Sequence, residues 1–109
     1  MSTISTHVLD TALGKPASGI RVTLVRSGAA VGEGVTDADG RVRDLHAADL
    51  ELGEGDYRLT FAVGDYFAAA GREAFYSEIE VSFRVDSGDG HYHVPLLLSP
   101  FGYSTYRGT

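Results

Sequence analysis

The sequence predicts an all-β fold, an antiparallel β-sandwich that carries one short helix. Apolar residues recur at every second position in several short segments, which is the period of a strand with one buried face. Glycine, proline and aspartate separate these segments at a spacing typical of sandwiches. One segment only, centred on three consecutive alanines, has a helical composition. We therefore expect seven or eight strands and a single helix.

Three strands are predicted in the first third of the chain. Residues 4–9 (ISTHVL) and residues 20–26 (IRVTLVR) alternate in polarity, and a turn region rich in glycine separates them. Residues 30–36 are less regular because Gly32 and Gly34 interrupt them. Glycine weakens a strand interior, so this third strand is expected at the edge of a sheet.

Two further strands flank the predicted helix. Residues 56–63 alternate strictly, and residues 79–85 alternate again after the helical segment at residues 64–76. Asp65 is placed where its carboxylate can cap the helix N-terminus, and Gly71 is expected to mark either the helix end or a weak point within it.

Residues 91–109 predict a hairpin whose second strand runs to the C-terminus. Its turn contains serine, proline and glycine at residues 99–102. Successive side chains of a strand point to opposite faces, and one face of the first strand is apolar enough to cover a core. This predicted core face consists of Tyr92, Val94, Leu96 and Leu98.

The opposite face of the hairpin combines apolar and reactive side chains. It begins with His91 and His93, and pairing of the two strands would bring Ser104 and Tyr106 beside it. Such a face is awkward for a monomer. We expect another subunit to cover this face and to leave a pocket where the polar groups converge.

Length and composition limit the classes of function. A chain of 109 residues is expected to form one domain, residues 1–109. The absence of cysteine excludes disulfides and thiolate metal sites. A net charge of −6 with dispersed arginines argues against a nucleic-acid partner, although a local cluster of arginine and histidine could still attract a small anion. Neither a signal peptide nor a membrane-spanning stretch is recognisable, so we expect a cytoplasmic protein without a membrane partner.

Three motifs carry a resemblance that covers nearly the whole chain. THVLDTALGKPASG near the start, TDADGR in the middle and HYHVPLLLSPFGYSTYRGT at the end resemble the 5-hydroxyisourate hydrolases of the transthyretin-like family. The resemblance implies a sandwich of two four-stranded sheets and a homotetramer with active sites at the interface between dimers. It also implies hydrolysis of the cyclic amide of 5-hydroxyisourate, a small-molecule substrate of urate degradation, without a metal or cofactor.

The functional residues of that family fall on matching positions of this sequence. Catalytic roles fall on four residues of the three motifs: His7, Arg41, His93 and Tyr106. Substrate contacts fall on residues that follow the hairpin turn, with Ser104 added because strand pairing brings it to the same face: Ser104, Arg107, Gly108 and Thr109. Thr109 replaces the serine usual in the family and keeps the hydroxyl.

Amide hydrolysis needs a base for water, donors for the developing oxyanion and an acid for the leaving nitrogen. Histidine suits both proton transfers because its ordinary pKa is about 6.5. We assign His7 and His93 to water activation and proton shuttling, and the sequence leaves open which is the base. Arg41 would polarise the carbonyl with its planar donors, and Tyr106 with the Thr109 hydroxyl would orient water or substrate.

Alternative roles stay open for several side chains. Arg43 competes with Arg41, and Arg107 could form a salt bridge that fixes the end of the chain. His91 is interpreted as a supporting or solvent-facing residue. Together with His7 and His93 it could also be read as a set of three zinc ligands. His46 is interpreted as a surface residue.

Two alternative functions are also considered. The first is a non-catalytic carrier of small ligands that uses the same channel between dimers, as transthyretin does. A carrier needs a wide apolar channel, whereas His7, Arg41, His93 and Tyr106 would make this one polar and narrow. The second is a structural module of a larger assembly, which the absence of linkers and repeats disfavours.

Overall fold

Two β-sheets share one core in the computed structural model, which describes residues 2–45, 52–87 and 90–109. The first sheet contains β1 (Thr3–Asp10), β2 (Lys15–Pro16), β5 (Arg41–Val42), β8 (His91–Ser99) and β9 (Gly102–Thr105). The second sheet contains β3 (Arg21–Arg26), β4 (Ala29–Val35), β6 (Gly55–Phe61) and β7 (Ile79–Val85). The sandwich predicted from the sequence is confirmed, and β4 lies at a sheet edge as expected. His46 lies outside the described residues.

Alternating residues of both sheets build the core. The four residues predicted for the core face of β8 are all buried, and the predicted alternation of β6 is buried in the same way at Tyr57, Leu59 and Phe61. Burial of a side chain the size of leucine or phenylalanine contributes roughly 1.5–3 kcal/mol. This core therefore fixes which face each strand turns outward, and so fixes where His91 and His93 point.

The strands β1 and β8 pair in parallel, whereas every other strand pairing within the described residues is antiparallel. The parallel register sets Thr3 opposite His91 and Ser5 opposite His93. Alternation along a sequence shows which side chains share a face, but it does not show which strands become neighbours or in which direction. The parallel pairing is thus a departure from a purely antiparallel sandwich, and it brings the polar faces of β1 and β8 together.

The first sheet has five strands in the described residues, rather than the four expected. Two of the five, β2 and β5, have two residues each and both pair with β1. Segments this short carry no readable alternation. Since β8 occupies one edge of β1 along its whole length, β2 and β5 share the opposite edge.

The helix α1 spans Val63–Ala69, is the one helix of the described residues, and is shorter than the predicted segment. The expected cap is wrong. Ala62 occupies the N-cap position without a side-chain hydrogen bond, and Asp65 lies inside the first turn. Gly71 follows the helix with φ of +67°, so the predicted helix end is confirmed. No helix in the described ranges is long and apolar enough to cross a membrane.

A buried ion pair ties the segment after α1 to the end of β1. Asp10 is fully buried, and its Oδ2 accepts hydrogen bonds from the Tyr66 hydroxyl and from Arg72 Nη1, both at 2.7 Å. Burial alone would raise the pKa of Asp10. The hydrogen bonds from Arg72 and Tyr66, with one from the Leu13 backbone, outweigh it and lower that pKa below the ordinary value of 3.8.

The hairpin at the end of the chain differs from the sequence prediction in its second strand. That strand, β9, ends at Thr105, whose hydroxyl donates to the Pro95 carbonyl at 2.7 Å. The next residues leave the strand ladder, and the backbone returns at Gly108, whose N–H donates to the His93 carbonyl at 2.8 Å. Residues 106–109 are thereby held against the histidine end of β8.

Candidate active site

A cavity of about 260 Å³ opens where β1, β5 and the start of β8 meet. Two arginines and two histidines stand on its wall together with hydroxyl side chains: Ser5, Arg41, Arg43, His91, His93 and Thr109. Three residues that the sequence placed in the site, Arg41, His93 and Thr109, thus lie on one cavity although they come from distant parts of the chain.

The position of Arg41 depends on the turn that precedes it. Asp37 Oδ1 accepts the Arg41 backbone N–H at 3.0 Å, and this bond is the main reason why the pKa of Asp37 lies below its ordinary value. Gly40 has φ of +76°, and a Cβ added there would lie 2.4 Å from the Val8 carbonyl oxygen. Only glycine therefore fits, and the turn docks closely on β1 with Arg41 opposite His7.

Arg41 and Arg43 differ in their surroundings. Arg43 is exposed and approaches Asp39 at 4.0 Å, which makes it a weak surface pair. Arg41 is half-buried, and within the described residues its guanidinium forms no ion pair. An arginine without a carboxylate partner, on a cavity wall, is available to bind an anionic or carbonyl group.

His93 is held in a state that favours the neutral ring. Partial burial is the largest cause of its lowered pKa, and the positive charges of Arg41, His91 and His7 act in the same direction. A histidine with a pKa below 6.5 is mostly unprotonated near pH 7. His93 is therefore suited to accept a proton.

His7 lies on β1, half-buried, opposite Arg41 on one side and Pro95 on the other. It does not stand on the cavity wall with His93, although it is near enough to lower the pKa of that ring. His7 and His93 are thus neighbours across the parallel strands and have different access to the cavity.

Three residues form a hydrogen-bond chain that leads to His93. Ser5 Oγ lies 2.8 Å from His93 Nδ1 and 3.0 Å from His91 Nε2, and the Thr3 hydroxyl contacts His91 Nδ1. Sequence reasoning gave Thr3 and Ser5 no role and left His91 as a supporting or solvent-facing residue. Period-two alternation already places Thr3 and Ser5 on the same face as His7. The sequence pattern does not show that β8 pairs in parallel with β1, and this pairing is what brings them to His91 and His93.

Tyr106 and Arg107 stand on a second cavity, of about 290 Å³, which His93 also borders. The Tyr106 side chain is exposed, and the Arg107 guanidinium lies over the Tyr92 ring at 4.8 Å from its centroid. In the described part of the chain Arg107 forms no ion pair, so this cation–π contact holds it in place of the salt bridge considered from the sequence.

The remaining residues predicted to contact substrate occupy different positions. Gly108 packs against His93, where a Cβ would come within 2.5 Å of the ring atom Cδ2. Ser104 is exposed on β9 opposite Leu97 and lies on neither of the two cavities that His93 borders. The structure therefore gathers Arg41, His93, Gly108 and Thr109 closely and leaves Ser104 further away.

The three described histidines, His7, His91 and His93, do not form a metal cluster with one another. Among residues 2–45, 52–87 and 90–109, no group of three histidine, cysteine, aspartate or glutamate side chains is arranged to hold a metal ion. The groups on the first cavity are instead a ring able to accept a proton, a fixed positive charge and a hydroxyl. Those three are the components that water attack on a carbonyl requires.

Comparisons with known proteins agree with this chemistry. A model of the HIUase/transthyretin family matches residues 4–108. A 5-hydroxyisourate hydrolase of Caulobacter vibrioides is 46% identical over 117 aligned positions that span 100% of both chains. The solved 5-hydroxyisourate hydrolase of Klebsiella pneumoniae superposes with a TM-score of 0.90 and 41% identity, covering 99% of this chain and 100% of that one. The transthyretin of Sparus aurata superposes with a TM-score of 0.87 and 31% identity, covering 99% and 97%.

Proposed function

The chain belongs to the HIUase/transthyretin family, and we propose that it is a hydrolase that converts 5-hydroxyisourate to 2-oxo-4-hydroxy-4-carboxy-5-ureidoimidazoline, a step of urate degradation. The observation that carries the proposal is the meeting of His93 and Arg41 on one cavity, in a chain similar over its full length to a hydrolase of that name.

His93 is the proposed general base. Because its pKa is lowered, the ring is neutral near pH 7 and can take a proton from water as that water attacks the carbonyl carbon of the cyclic amide. A positioned histidine of this kind typically contributes about 10²–10⁴-fold in rate.

Arg41 is the proposed donor to the oxyanion that develops on the attacked carbonyl. A donor aimed at such an oxygen stabilises the transition state by about 3–4 kcal/mol. Collapse of the tetrahedral intermediate then breaks the carbon–nitrogen bond and leaves a carboxylate, and the leaving nitrogen takes up a proton. We assign delivery of that proton to His7, which lies beside Arg41.

The residues around His93 are proposed to hold the substrate. Tyr106, whose side chain is exposed beside His93, would orient water or substrate with the Thr109 hydroxyl. Arg107 and Gly108 would line the edge of the substrate ring. Ser104 would contact substrate only if the substrate or a neighbouring subunit extends along β9.

The proposal includes a homotetramer of single-domain subunits, residues 1–109 each, with the sites at the interface between dimers. Supporting observations are the edge positions of β7 and β9, whose outer backbone groups can pair with another strand, and the open mouth of the cavity. Light scattering coupled to gel filtration tests the assembly, and a monomer would contradict it. A cytoplasmic location is part of the same proposal, and cell fractionation tests it.

The carrier function is not favoured. Arginine and histidine side chains dominate the cavity wall, and a channel for an apolar hormone would need an apolar lining. The full-length similarity to hydrolases, at 46% identity, also exceeds the 31% identity to a transthyretin structure.

A direct assay tests the hydrolase. Freshly generated 5-hydroxyisourate should lose its absorbance much faster with the protein than it does spontaneously, and no acceleration by the pure protein would refute the proposal. His93→Ala should lower kcat by at least about 10²-fold with the assembly unchanged. Arg41→Ala should lower kcat by a similar factor. Arg21→Ala is the matched control, because Arg21 is an exposed arginine of β3 whose guanidinium pairs with Glu33 at 3.6 Å on the surface.

A further inference from the structure

We propose that Ser5 and His91 form a proton relay that holds His93 in the tautomer with a free Nε2 and carries away the proton that His93 accepts. This inference deepens the proposed hydrolase and rests on it for the catalytic step. Its structural part, the tautomer of His93, can be tested without substrate. Ser5 acts here as a positioning and relay residue, since no part of the relay requires it to touch the substrate.

The relay is a continuous line of polar atoms on one face of β1 and β8. It runs from His93 Nδ1 to Ser5 Oγ at 2.8 Å, from Ser5 Oγ to His91 Nε2 at 3.0 Å, and from His91 Nδ1 to the Thr3 hydroxyl. The two rings are nearly parallel, with an interplanar angle of 14° and centroids 6.4 Å apart. Ser5 is 7% exposed, whereas His91 is exposed, so the line connects the interior of the cavity with solvent.

The chemistry of a serine hydroxyl couples the two rings. It has one proton, so with a ring nitrogen on each side it donates to one and accepts from the other. Two arrangements are self-consistent. In the first, His93 Nδ1–H donates to Ser5, Ser5 donates to His91 Nε2, and His91 Nδ1–H donates to Thr3. In the second, every one of these donors and acceptors is reversed, and His93 carries its proton on Nε2.

Only the first arrangement leaves His93 ready to act as a base. Its Nδ1 is occupied by Ser5, and no hydrogen bond to Nε2 comes from the described residues. The lone pair of Nε2 is then available to a water molecule in the cavity. The neighbouring ring thus decides the state of His93 through one hydroxyl, as the second hydrogen bond of a histidine ring commonly does.

The proton transfer converts the first arrangement into the second. Water loses a proton to His93 Nε2 as its oxygen bonds to the carbonyl carbon. The Nδ1 proton of His93 moves to Ser5 Oγ, and the original Ser5 proton moves to His91 Nε2. His91 then holds two protons and one positive charge. It returns to the neutral form by releasing its Nδ1 proton to solvent, either directly or through the Thr3 hydroxyl, which takes that proton and passes its own to solvent.

The surroundings of the two rings favour this direction. His93 is partly buried, and the nearby charges of Arg41 and His7 disfavour a lasting positive charge on its ring. His91 is exposed, and water can solvate a charge there. The relay therefore moves the charge from the crowded ring to the solvated one.

Nitrogen-15 NMR of the imidazole groups tests the structural part without substrate. We expect neutral His93 in the wild-type protein to carry its proton on Nδ1, and we expect Ser5→Ala to shift it towards the Nε2–H tautomer. Thr11→Val is the matched control, because the Thr11 hydroxyl, one residue past the end of β1, donates to the Leu98 carbonyl of β8 at 3.0 Å and lies away from both histidines. An Nε2–H tautomer in the wild-type protein, or one that Ser5→Ala leaves unchanged, would overturn the proposal.

Kinetics with 5-hydroxyisourate test the relay itself. Ser5→Ala and His91→Ala should each lower kcat by about tenfold or more, a part of what a positioned proton transfer contributes, with KM within about twofold. Added imidazole should restore much of the activity of His91→Ala, which a merely structural role for His91 would not allow. Unchanged kcat in both variants, or no rescue by imidazole, would refute the relay. A wild-type protein that does not accelerate the reaction would refute the hydrolase instead, and the NMR result would still decide the tautomer.

Discussion

Gly108 and His93 are joined twice, once by backbone and once by close packing. The Gly108 N–H donates to the His93 carbonyl at 2.8 Å. The Gly108 Cα lies so near the ring that an added Cβ would be 2.5 Å from His93 Cδ2. The segment that follows β9 is thus built against the proposed base, and a single methyl group is enough to disturb it.

Replacement of Gly108 by Ala should displace the His93 ring or the backbone that holds it. A displacement of this kind lowers the reaction rate by about 10²-fold in an enzyme that depends on positioned groups. We therefore expect a large fall in kcat with the circular dichroism spectrum unchanged. Gly102→Ala is the matched control, because the nearest atom to its added Cβ is Ser99 Oγ at 3.7 Å. Equal activities of the two variants would show that the contact is unimportant.

The lowered pKa of His93 predicts a specific pH dependence. The neutral ring is the active form, so kcat/KM should stay high above pH 6.5 and fall as the pH drops through the lowered pKa of His93. Protonation of a histidine whose folded pKa is lowered also costs stability, so the free energy of unfolding should decrease as the pH falls below 6.5.

Arg41→Gln tests the cause of that shift. Loss of the positive charge should raise the pKa of His93 towards 6.5, as measured by NMR titration of its ring protons, while Arg21→Gln should leave it unchanged. If the pKa of His93 does not move in Arg41→Gln, burial together with His91 and His7 accounts for the shift.

Asp10→Asn should destabilise the fold and leave the chemistry at His93 largely unaffected. Asn keeps only one of the two acceptor oxygens, so its NH2 group would face donors on one side, either Tyr66 and Arg72 or the Leu13 N–H and Arg72. Loss of hydrogen bonds to a buried carboxylate costs about 1.5–3 kcal/mol in the free energy of unfolding, measurable by urea denaturation. Asp56→Asn, whose partner Arg84 lies 3.4 Å away on the surface, should have little effect.

The same variant should change the response to acid. The pKa of Asp10 is lower in the folded protein than its ordinary value of 3.8, so its contribution is present above pH 3.8 and is lost as the pH falls through the lower folded pKa. Asp10→Asn should therefore show a flatter loss of stability below about pH 4 than the wild-type protein. Parallel acid curves for the two proteins would contradict this assignment.

Deletion of residues 106–109 should abolish hydrolysis far more than it harms folding. The deleted segment carries Tyr106, the Gly108 contact with His93 and the Thr109 hydroxyl, but the buried core lies before it. We expect activity near the spontaneous rate and a melting temperature close to that of the full chain. A truncated protein that still turns over substrate would show that these residues are dispensable.

Much of the fold could be predicted because alternation reports burial directly. The core faces of β6 and β8 follow from apolar residues at every second position, and the structure buries them as expected. The helix cap at Asp65 was wrong, because a capping residue type does not determine where the chain enters the helix. The residues that bury α1, Val63 and Phe67, set its start instead.

The site could be predicted only in part, and for a related reason. Arg41 and His93 come from motifs of the family, and the structure sets both on one cavity. Ser5 and His91 gain their place only through the parallel pairing of β1 and β8, which no local pattern encodes. The chain also leaves the strand after Thr105 because of a tertiary contact, the hydrogen bond from the Gly108 N–H to the His93 carbonyl.

The parallel pairing of β1 and β8 also affects the rate of folding. Ser5 and His93 are 88 positions apart in sequence, and contacts at such separation form slowly because a long loop must close first. Among the described strands these two share the longest register, with eight residue pairs. We therefore expect enzymatic activity to recover during refolding only after this long loop has closed.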